Sequence, residues 1–270
     1  VGEVQGIAGG THGIGISAAT GQGFTDDGRN GQAVAFDLKT LKVRRQIAAD
    51  ADADAVAFDR RSGHVFVIDG DPGTISVIDP KTDSRVALIK AGEKMEYAVS
   101  DDAGAIFVAG EEKSDVLKVD TRTNEVIAHW ATPGCASPHG LALDKANGRL
   151  FMGCINNVMK VVDAHNGRVV ASLPIGAGSD AIAFDAKRKR VFSSNGRDGT
   201  ISVFQQTAPD SYAAMAPIVT TVSARTMSVD PATGRLFVGA ADTDPAAEPG
   251  GRPKVRPGTF RLLMLDPRRP

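Results

Sequence analysis

The chain has 270 residues, of which 42% are hydrophobic, enough to bury a substantial core in a single domain. Its formal net charge of −1 excludes a global attraction to nucleic acid or to an anionic membrane, and we find no strong local patch that would replace one. No apolar run reaches the roughly 18 residues that a membrane span needs, so we expect no span.

The first eight residues, Val1-Gly-Glu-Val-Gln-Gly-Ile-Ala8, have the apolar pattern of a strand that is already under way. Val1 is not an initiator residue, so we expect that an upstream segment such as a signal peptide has been removed. This strand has no repeat of its own, and we predict that it completes the last repeat of the chain.

A strand motif of small and apolar residues recurs six times along the chain. It occupies residues 12–17, 54–59, 96–101, 139–144, 180–185 and 225–230. The starts are 41 to 45 residues apart, and a period of about 40 to 45 residues with several short strands is typical of a β-propeller blade. The pattern predicts one all-β domain over residues 1–270, a β-propeller of six four-stranded blades whose ring is closed by the N-terminal strand.

Two further positions recur within the repeats. The second strand carries one phenylalanine per repeat, which predicts one packing layer between blades: Phe24, Phe66, Phe107, Phe151, Phe192 and Phe237. The third strand ends in an aspartate in five repeats: Asp37, Asp79, Asp120, Asp163 and Asp266. We interpret these aspartates as acceptors for backbone N–H groups of the following turn.

The first position of the motif is polar or charged in every repeat. The six residues are His12, Asp54, Glu96, His139, Asp180 and Arg225. In a propeller these positions meet at the mouth of the central channel, where two imidazoles and three carboxylates would suit one divalent metal ion. The alternative is that these side chains bond to backbone N–H groups, solvent or one another, for example in a pair between Asp54 and Arg225.

The two cysteines, Cys135 and Cys154, both lie in the fourth repeat, around its first strand. They form either a disulfide, which would imply an oxidising compartment, or two buried thiols. The other histidines, His64, His129 and His165, occur at strand ends or hairpins, where we expect exposed rather than ligating side chains.

The last repeat contains a proline-rich insertion at residues 242–258. Loops of this length are more often functional or disordered than neutral. We predict that the insertion covers the channel mouth as a lid, where Arg252, Lys254 and Arg256, together with Arg225, attract an anionic ligand. The alternative is a mobile, solvated loop.

Several segments resemble the YVTN-type, YncE-like family of bacterial β-propellers. Among them are Asp180-Ala-Ile-Ala-Phe-Asp185, Val191-Phe-Ser-Ser-Asn-Gly196 and Gly199-Thr-Ile-Ser-Val203. The resemblance covers essentially the whole chain and implies an exported protein, periplasmic or extracellular. Members of the family usually have seven blades, so either this chain lacks a first blade or its ring closes with six.

Two functions follow from these patterns. The first is a monomeric binding or scaffold protein that captures a small ligand, a metal ion or a partner protein on its loop-rich channel face. The second is a metal-dependent hydrolase similar to lactonases on six-bladed propellers, with Asp54, Glu96 or Asp180 as general base. Lactonase ligand sets are mainly carboxylate and asparagine, so the two histidines depart from that set. The sequence contains no nucleophile elbow and no phosphate-binding loop, so we expect no cofactor beyond one divalent ion.

Overall fold

The structure is a computed structural model that describes residues 2–244 and 253–267. The chain divides into an N-terminal unit, Val1–Pro133, and a C-terminal unit, Gly134–Pro270. Strands dominate both units, and the one helical segment in the described ranges is the 3-10 turn Gly28–Asn30. None of the helical structure found there is long and apolar enough to cross a membrane.

The N-terminal unit consists of three antiparallel sheets of four strands each, and each sheet follows chain order. The first sheet contains β1 (Ile14–Ser17), β2 (Gln22–Asp27), β3 (Gln32–Asp37) and β4 (Val43–Ala48). The second contains β5 (Ala53–Phe58), β6 (Val65–Asp69), β7 (Thr74–Asp79) and β8 (Ser84–Lys90). The third contains β9 (Met95–Ser100), β10 (Ala105–Gly110), β11 (Asp115–Asp120) and β12 (Glu125–Ala131).

The C-terminal unit continues the same antiparallel pattern. Its first sheet contains β13 (Pro138–Asp144), β14 (Arg149–Cys154), β15 (Val158–Asp163) and β16 (Val169–Pro174). In its second sheet, β17 (Ser179–Asp185), β18 (Arg190–Asn195) and β19 (Thr200–Ala208) are followed by two short strands that both pair with β19: β20 (Ser211–Ala214) and β21 (Ile218–Val219).

The last sheet of the C-terminal unit has three strands among the described residues. It contains β22 (Met227–Val229), β23 (Leu236–Ala240) and β26 (Arg261–Leu265). A separate hairpin of β24 (Thr243–Asp244) and β25 (Lys254–Val255) lies in the chain between β23 and β26.

The expected N-terminal strand is not formed by residues 2–13, which contain no strand. Gly6 and Gly10 have φ values of 87° and 97°. Positive φ is outside the extended region, so these two glycines interrupt the apolar pattern that suggested a strand. The strand predicted for this segment is therefore not formed by the described residues.

The recurrent phenylalanines all lie on the second strand of their sheet, as predicted. Each is buried except Phe237, which is half-buried. Phe66 shares a buried cluster with Met95 and Ile106 of the following sheet, and Phe151 shares one with Ile182 of its following sheet. Phe24 and Phe192 likewise share clusters with the following sheet, so four of the six rings pack one sheet against the next within a unit, as the repeat predicted.

The first strands of successive sheets also lie close together within each unit. A Cβ on Gly13 would overlap the backbone of Val56 in β5, and one on Gly140 would lie 2.5 Å from the carbonyl oxygen of Asp180 in β17. Real Cβ atoms essentially never approach so closely, so only glycine fits at these two crossings. These contacts place the residues that precede and begin the first strands next to one another within a unit.

Candidate functional site

The six residues at the motif starts occupy equivalent places in their sheets. Asp54, Glu96, His139 and Asp180 are the second residues of β5, β9, β13 and β17, whereas His12 and Arg225 lie two residues before β1 and β22. In the N-terminal unit this position brings together His12, Asp54 and Glu96. In the C-terminal unit it brings together Asp180 and Arg225.

His12 is held by a carboxylate at the end of β2. Its Nδ1 atom lies 2.9 Å from Asp26 Oδ2 and 2.9 Å from the carbonyl oxygen of Ala53. The backbone N–H groups of His12 and Gly13 also donate to Asp26 Oδ1, each at 2.9 Å. Both neighbours of Nδ1 are acceptors, so Nδ1 carries a proton, and Nε2 is the atom that can meet a ligand.

The Asp26 carboxylate raises the pKa of His12 to about 9, since a hydrogen-bonded anion stabilises the imidazolium. The neighbouring charge of Asp54 acts in the same direction. An imidazole whose second nitrogen donates to a carboxylate is the usual arrangement of a histidine metal ligand. Asp26, which the sequence analysis did not select, is therefore the residue that orients His12.

The Asp54 carboxyl group is crowded by other acids. Its burial, followed by the charges of Glu96 and Asp52, raises the pKa of Asp54 to about 7. A Cβ on Gly70 would overlap Asp54 Oδ2, so the carboxyl group packs against the glycine backbone on that side. Arg225, which the sequence analysis considered as a partner of Asp54, forms an ion pair with Asp180.

Acidic groups outnumber cationic groups around Asp54. Lys94 Nζ lies 3.0 Å from Asp71 Oδ1 and 3.3 Å from Glu111 Oε2, and both contacts raise the pKa of Lys94. Asp52 is also affected, since burial and the Asp71 charge raise its pKa. The lysine is thus already shared between two acids, and the region around Asp54 is arranged to attract positive charge.

In the C-terminal unit an acidic residue at the motif starts is paired with a cationic one. Arg225 Nη1 lies 3.5 Å from Asp180 Oδ1, with the arginine side chain 55% exposed. His139 Nε2 lies 3.5 Å from Ser137 Oγ. Asp180 is therefore partly neutralised by Arg225, and this pair is exposed enough to rearrange around a ligand.

The described part of the insertion is a short hairpin. Lys254 is exposed in β25, and Arg256 Nε lies 2.7 Å from Asp244 Oδ1 in β24. Arg252 lies outside the described residues. Because Arg256 has an acidic partner within the hairpin, the cationic character expected of this segment is reduced, and the lid remains a prediction.

Cys135 and Cys154 form a disulfide with a Cα–Cα distance of 5.4 Å. Cys154 ends β14, opposite Pro138 in β13, and the bond ties the segment that precedes β13 to that strand pair. This result decides between the two alternatives that the sequence left open. Such bonds persist in oxidising environments, so the disulfide is typical of a protein outside the cytoplasm.

Four of the five aspartates at the ends of the third strands have the predicted turn role: Asp37, Asp79, Asp120 and Asp163. Asp266 follows β26, and its Oδ2 atom lies 3.5 Å from Arg235 Nη2. Asp37 Oδ1 accepts from the N–H groups of Lys39 and Thr40, and Asp120 Oδ1 accepts from those of Arg122 and Thr123. These bonds lower the pKa of Asp37 and of Asp120. A carboxylate committed to a hairpin in this way is structural.

His129, which the sequence analysis set aside as exposed, lies beside two acids. Its side chain is 43% exposed, but Nδ1 lies 3.1 Å from Asp115 Oδ2 and 3.3 Å from Glu93 Oε1. Both acids are buried. The sequence signal was weak, since the three residues belong to separate segments and only the folded third sheet brings them together.

The fold is that of solved β-propellers. The chain is similar to the hydrazine synthase of Kuenenia stuttgartiensis, with a TM-score of 0.74 and 18% identity over 88% of this chain and 75% of that one. It is also similar to the β-propeller domain of Cps50 (Swd1) from Myceliophteria thermophila, with a TM-score of 0.72 and 14% identity over 95% and 86% of the two chains.

These likenesses define the class of protein, an all-β propeller with almost no helix, and at such identities they show the fold alone. No protein-family model matches the sequence, and the comparison with curated proteins gives no match.

Proposed function

We propose that the chain is an exported, YncE-like β-propeller that captures a ligand at its first-strand starts, and that this ligand is a metal ion or carries a positive charge. The observation that carries the proposal is the environment of Asp54. Burial, followed by the charges of Glu96 and Asp52, raises the pKa of this carboxyl group to about 7. A bound cation would offset the repulsion that helps to hold its proton.

The geometry of His12 supports a divalent metal ion. Asp26 orients the ring, so that Nε2 is the nitrogen available to a ligand. Together with the oxygens of Asp54 and Glu96 this gives the mixed nitrogen and oxygen donors that borderline metals accept. The proposal extends the same role to His139 and Asp180, which hold the equivalent positions in the C-terminal unit.

An anionic ligand is less well supported. Of the cationic residues considered for it, Arg225 is 3.5 Å from Asp180 and Arg256 is 2.7 Å from Asp244. A ligand carboxylate or phosphate would have to displace these acids. The single domain over residues 1–270, the monomeric state and the periplasmic or extracellular location belong to the proposal as expectations.

Titration of chelator-treated protein with Zn²⁺ and Mn²⁺ tests the proposal. We expect the parent to bind at least one equivalent more than the double variant His12→Ala, His139→Ala does. The double variant His64→Ala, His165→Ala removes the same number of imidazoles from hairpins and should bind as the parent does. Thermal melts check that both variants fold, and equal binding by all three proteins would refute the metal site.

The pKa of Asp54 also favours a second function, metal-dependent hydrolysis. A carboxylate that titrates near pH 7 has the basicity of a general base at neutral pH, and a neighbouring metal ion would polarise a carbonyl group. A panel of lactones and esters separates catalysis from capture. Metal-dependent turnover that is lost in Asp54→Asn but kept in Asp37→Asn would support a hydrolase, and bound metal without turnover would support capture alone.

A further inference from the structure

A second group of metal-ligating side chains lies in the third sheet of the N-terminal unit, away from the motif starts. Glu93 precedes β9, Asp115 begins β11 and His129 lies in β12. One ligand atom of each residue lies within 4.8 Å of the others. We refer to these three residues as the β9–β12 triad.

The two acids of the triad are buried and incompletely bonded. The Glu93 side chain is fully buried and that of Asp115 is 6% exposed. Glu93 Oε1 and Asp115 Oδ1 accept no hydrogen bond from the described residues. A buried carboxylate oxygen without a donor carries a large desolvation cost, so these two oxygens point to a missing positive partner.

The cationic side chains near the two acids only partly compensate the charge of the carboxylates. Lys113 Nζ lies 3.4 Å from Glu93 Oε1, on a side chain that is 52% exposed. One long, half-exposed lysine and one partly exposed imidazole therefore leave the two carboxyl groups undercompensated.

The backbone makes room for the two carboxyl groups side by side. Gly110 ends β10, and a Cβ built there would overlap Asp115 Oδ1 and would lie 2.7 Å from Glu93 Oε2. Its φ is not positive, so the glycine is required by space rather than by a turn. The carboxyl groups thus occupy the volume that a side chain at position 110 would fill.

We propose that Glu93, Asp115 and His129 bind a divalent transition-metal ion such as Zn²⁺, with water in the remaining position. Carboxylate oxygens and an imidazole nitrogen are donors that such ions accept, and the partial exposure of His129 leaves an opening for ion and water. A bound ion fastens the segment before β9 to β11 and β12. This role is structural and independent of the site at the motif starts.

The test is Zn²⁺ titration of the chelator-treated protein with calorimetry, repeated with Co²⁺ to record the visible absorption of a bound ion. We expect His129→Ala to weaken this site by at least about tenfold, the loss that removal of even an outer-shell partner causes. The matched control His165→Ala removes another carboxylate-contacting imidazole, 77% exposed on Asp163, and should leave the site unchanged.

Two further variants separate this site from the one at the motif starts. His12→Ala should leave the triad's equivalent of metal in place, and Lys113→Met should keep or tighten binding because it removes the competing ammonium group. Absence of saturable binding, or binding that His129→Ala and His165→Ala affect equally, overturns the proposal. Metal that is lost in His12→Ala and kept in His129→Ala also overturns it, while supporting the proposed function.

Discussion

Asp54 shows how single residues acquire unusual chemistry in this protein. Its pKa of about 7 arises first from burial and then from the charges of Glu96 and Asp52. Both causes disfavour the charged carboxylate, and His12 and Lys94 offset them only in part. The carboxyl group therefore responds to any positive charge that is placed beside it.

The raised pKa of Asp54 makes stability depend on pH. The unfolded chain releases this proton near its ordinary value of 3.8, and the folded chain releases it near 7, so the folded state binds more protons between these values. Its contribution to the free energy of unfolding therefore falls as pH rises through this window. We expect Asp54→Asn, in chelator, to gain in melting temperature relative to the parent between pH 4 and pH 8. An unchanged difference between the two proteins at both pH values would contradict the assignment.

The residues at the motif starts could be identified from the sequence, but their hydrogen-bond and ion-pair partners could not. His12 and Asp54 stand at a repeated position, which made them visible as a set. Asp26, which orients His12, and Glu93, which reaches His129, occur at no repeated position that would select them. Their roles depend on distances across strands, and a one-dimensional pattern does not contain those distances.

At the scale of elements, the sequence repeat predicts the strands well but predicts irregular segments poorly. The phenylalanines and the turn aspartates recur with the period of the sheets, and the structure confirms each role at four positions. The N-terminal segment was misjudged, since Gly6 and Gly10 adopt positive φ and end the extended conformation. A pattern that recurs in several repeats is strong evidence for a strand. A segment that occurs once can be assigned only from its own local sequence pattern.

The disulfide stabilises the sheet that begins with β13. It closes a loop between residues 19 apart in sequence, and a crosslink of this size contributes about 3 kcal/mol by restricting the unfolded chain. We expect the double variant Cys135→Ala, Cys154→Ala to lose stability on this scale in urea unfolding. A reducing agent should destabilise the parent and leave the double variant unaffected, and an equal effect on both would contradict this role.

For the whole molecule, the class of fold follows from close and repeated packing of sheets. Within each unit the first strands approach until only glycine fits, as at Gly13 and Gly140. The same class is shown by solved propellers that share 18% identity or less with this chain. Many different sequences therefore meet the same packing requirement, and for this reason the fold alone does not determine the ligand.

The crossing at Gly140 provides a test of this packing. A methyl group there would press on the backbone of Asp180 and Ile182, so we expect Gly140→Ala to cost about 1–3 kcal/mol through displacement of β13 from β17. Gly239→Ala is the matched control, since a Cβ at that position would meet only ordinary contacts at 3.6 Å or more. Thermal unfolding compares the two, and equal melting temperatures would contradict the close approach.

The sequence by itself determined the period, the strands and the positions that recur, because alternation of apolar residues and turn residues is a local property of the chain. Tertiary structure alone decided that Cys135 and Cys154 are bonded, that Asp26 orients His12, and that Glu93 and Asp115 lie beside His129. Burial and charge act over a few ångströms in space, whatever the separation along the chain. For that reason the chemistry of these groups depends on which strands the fold places side by side.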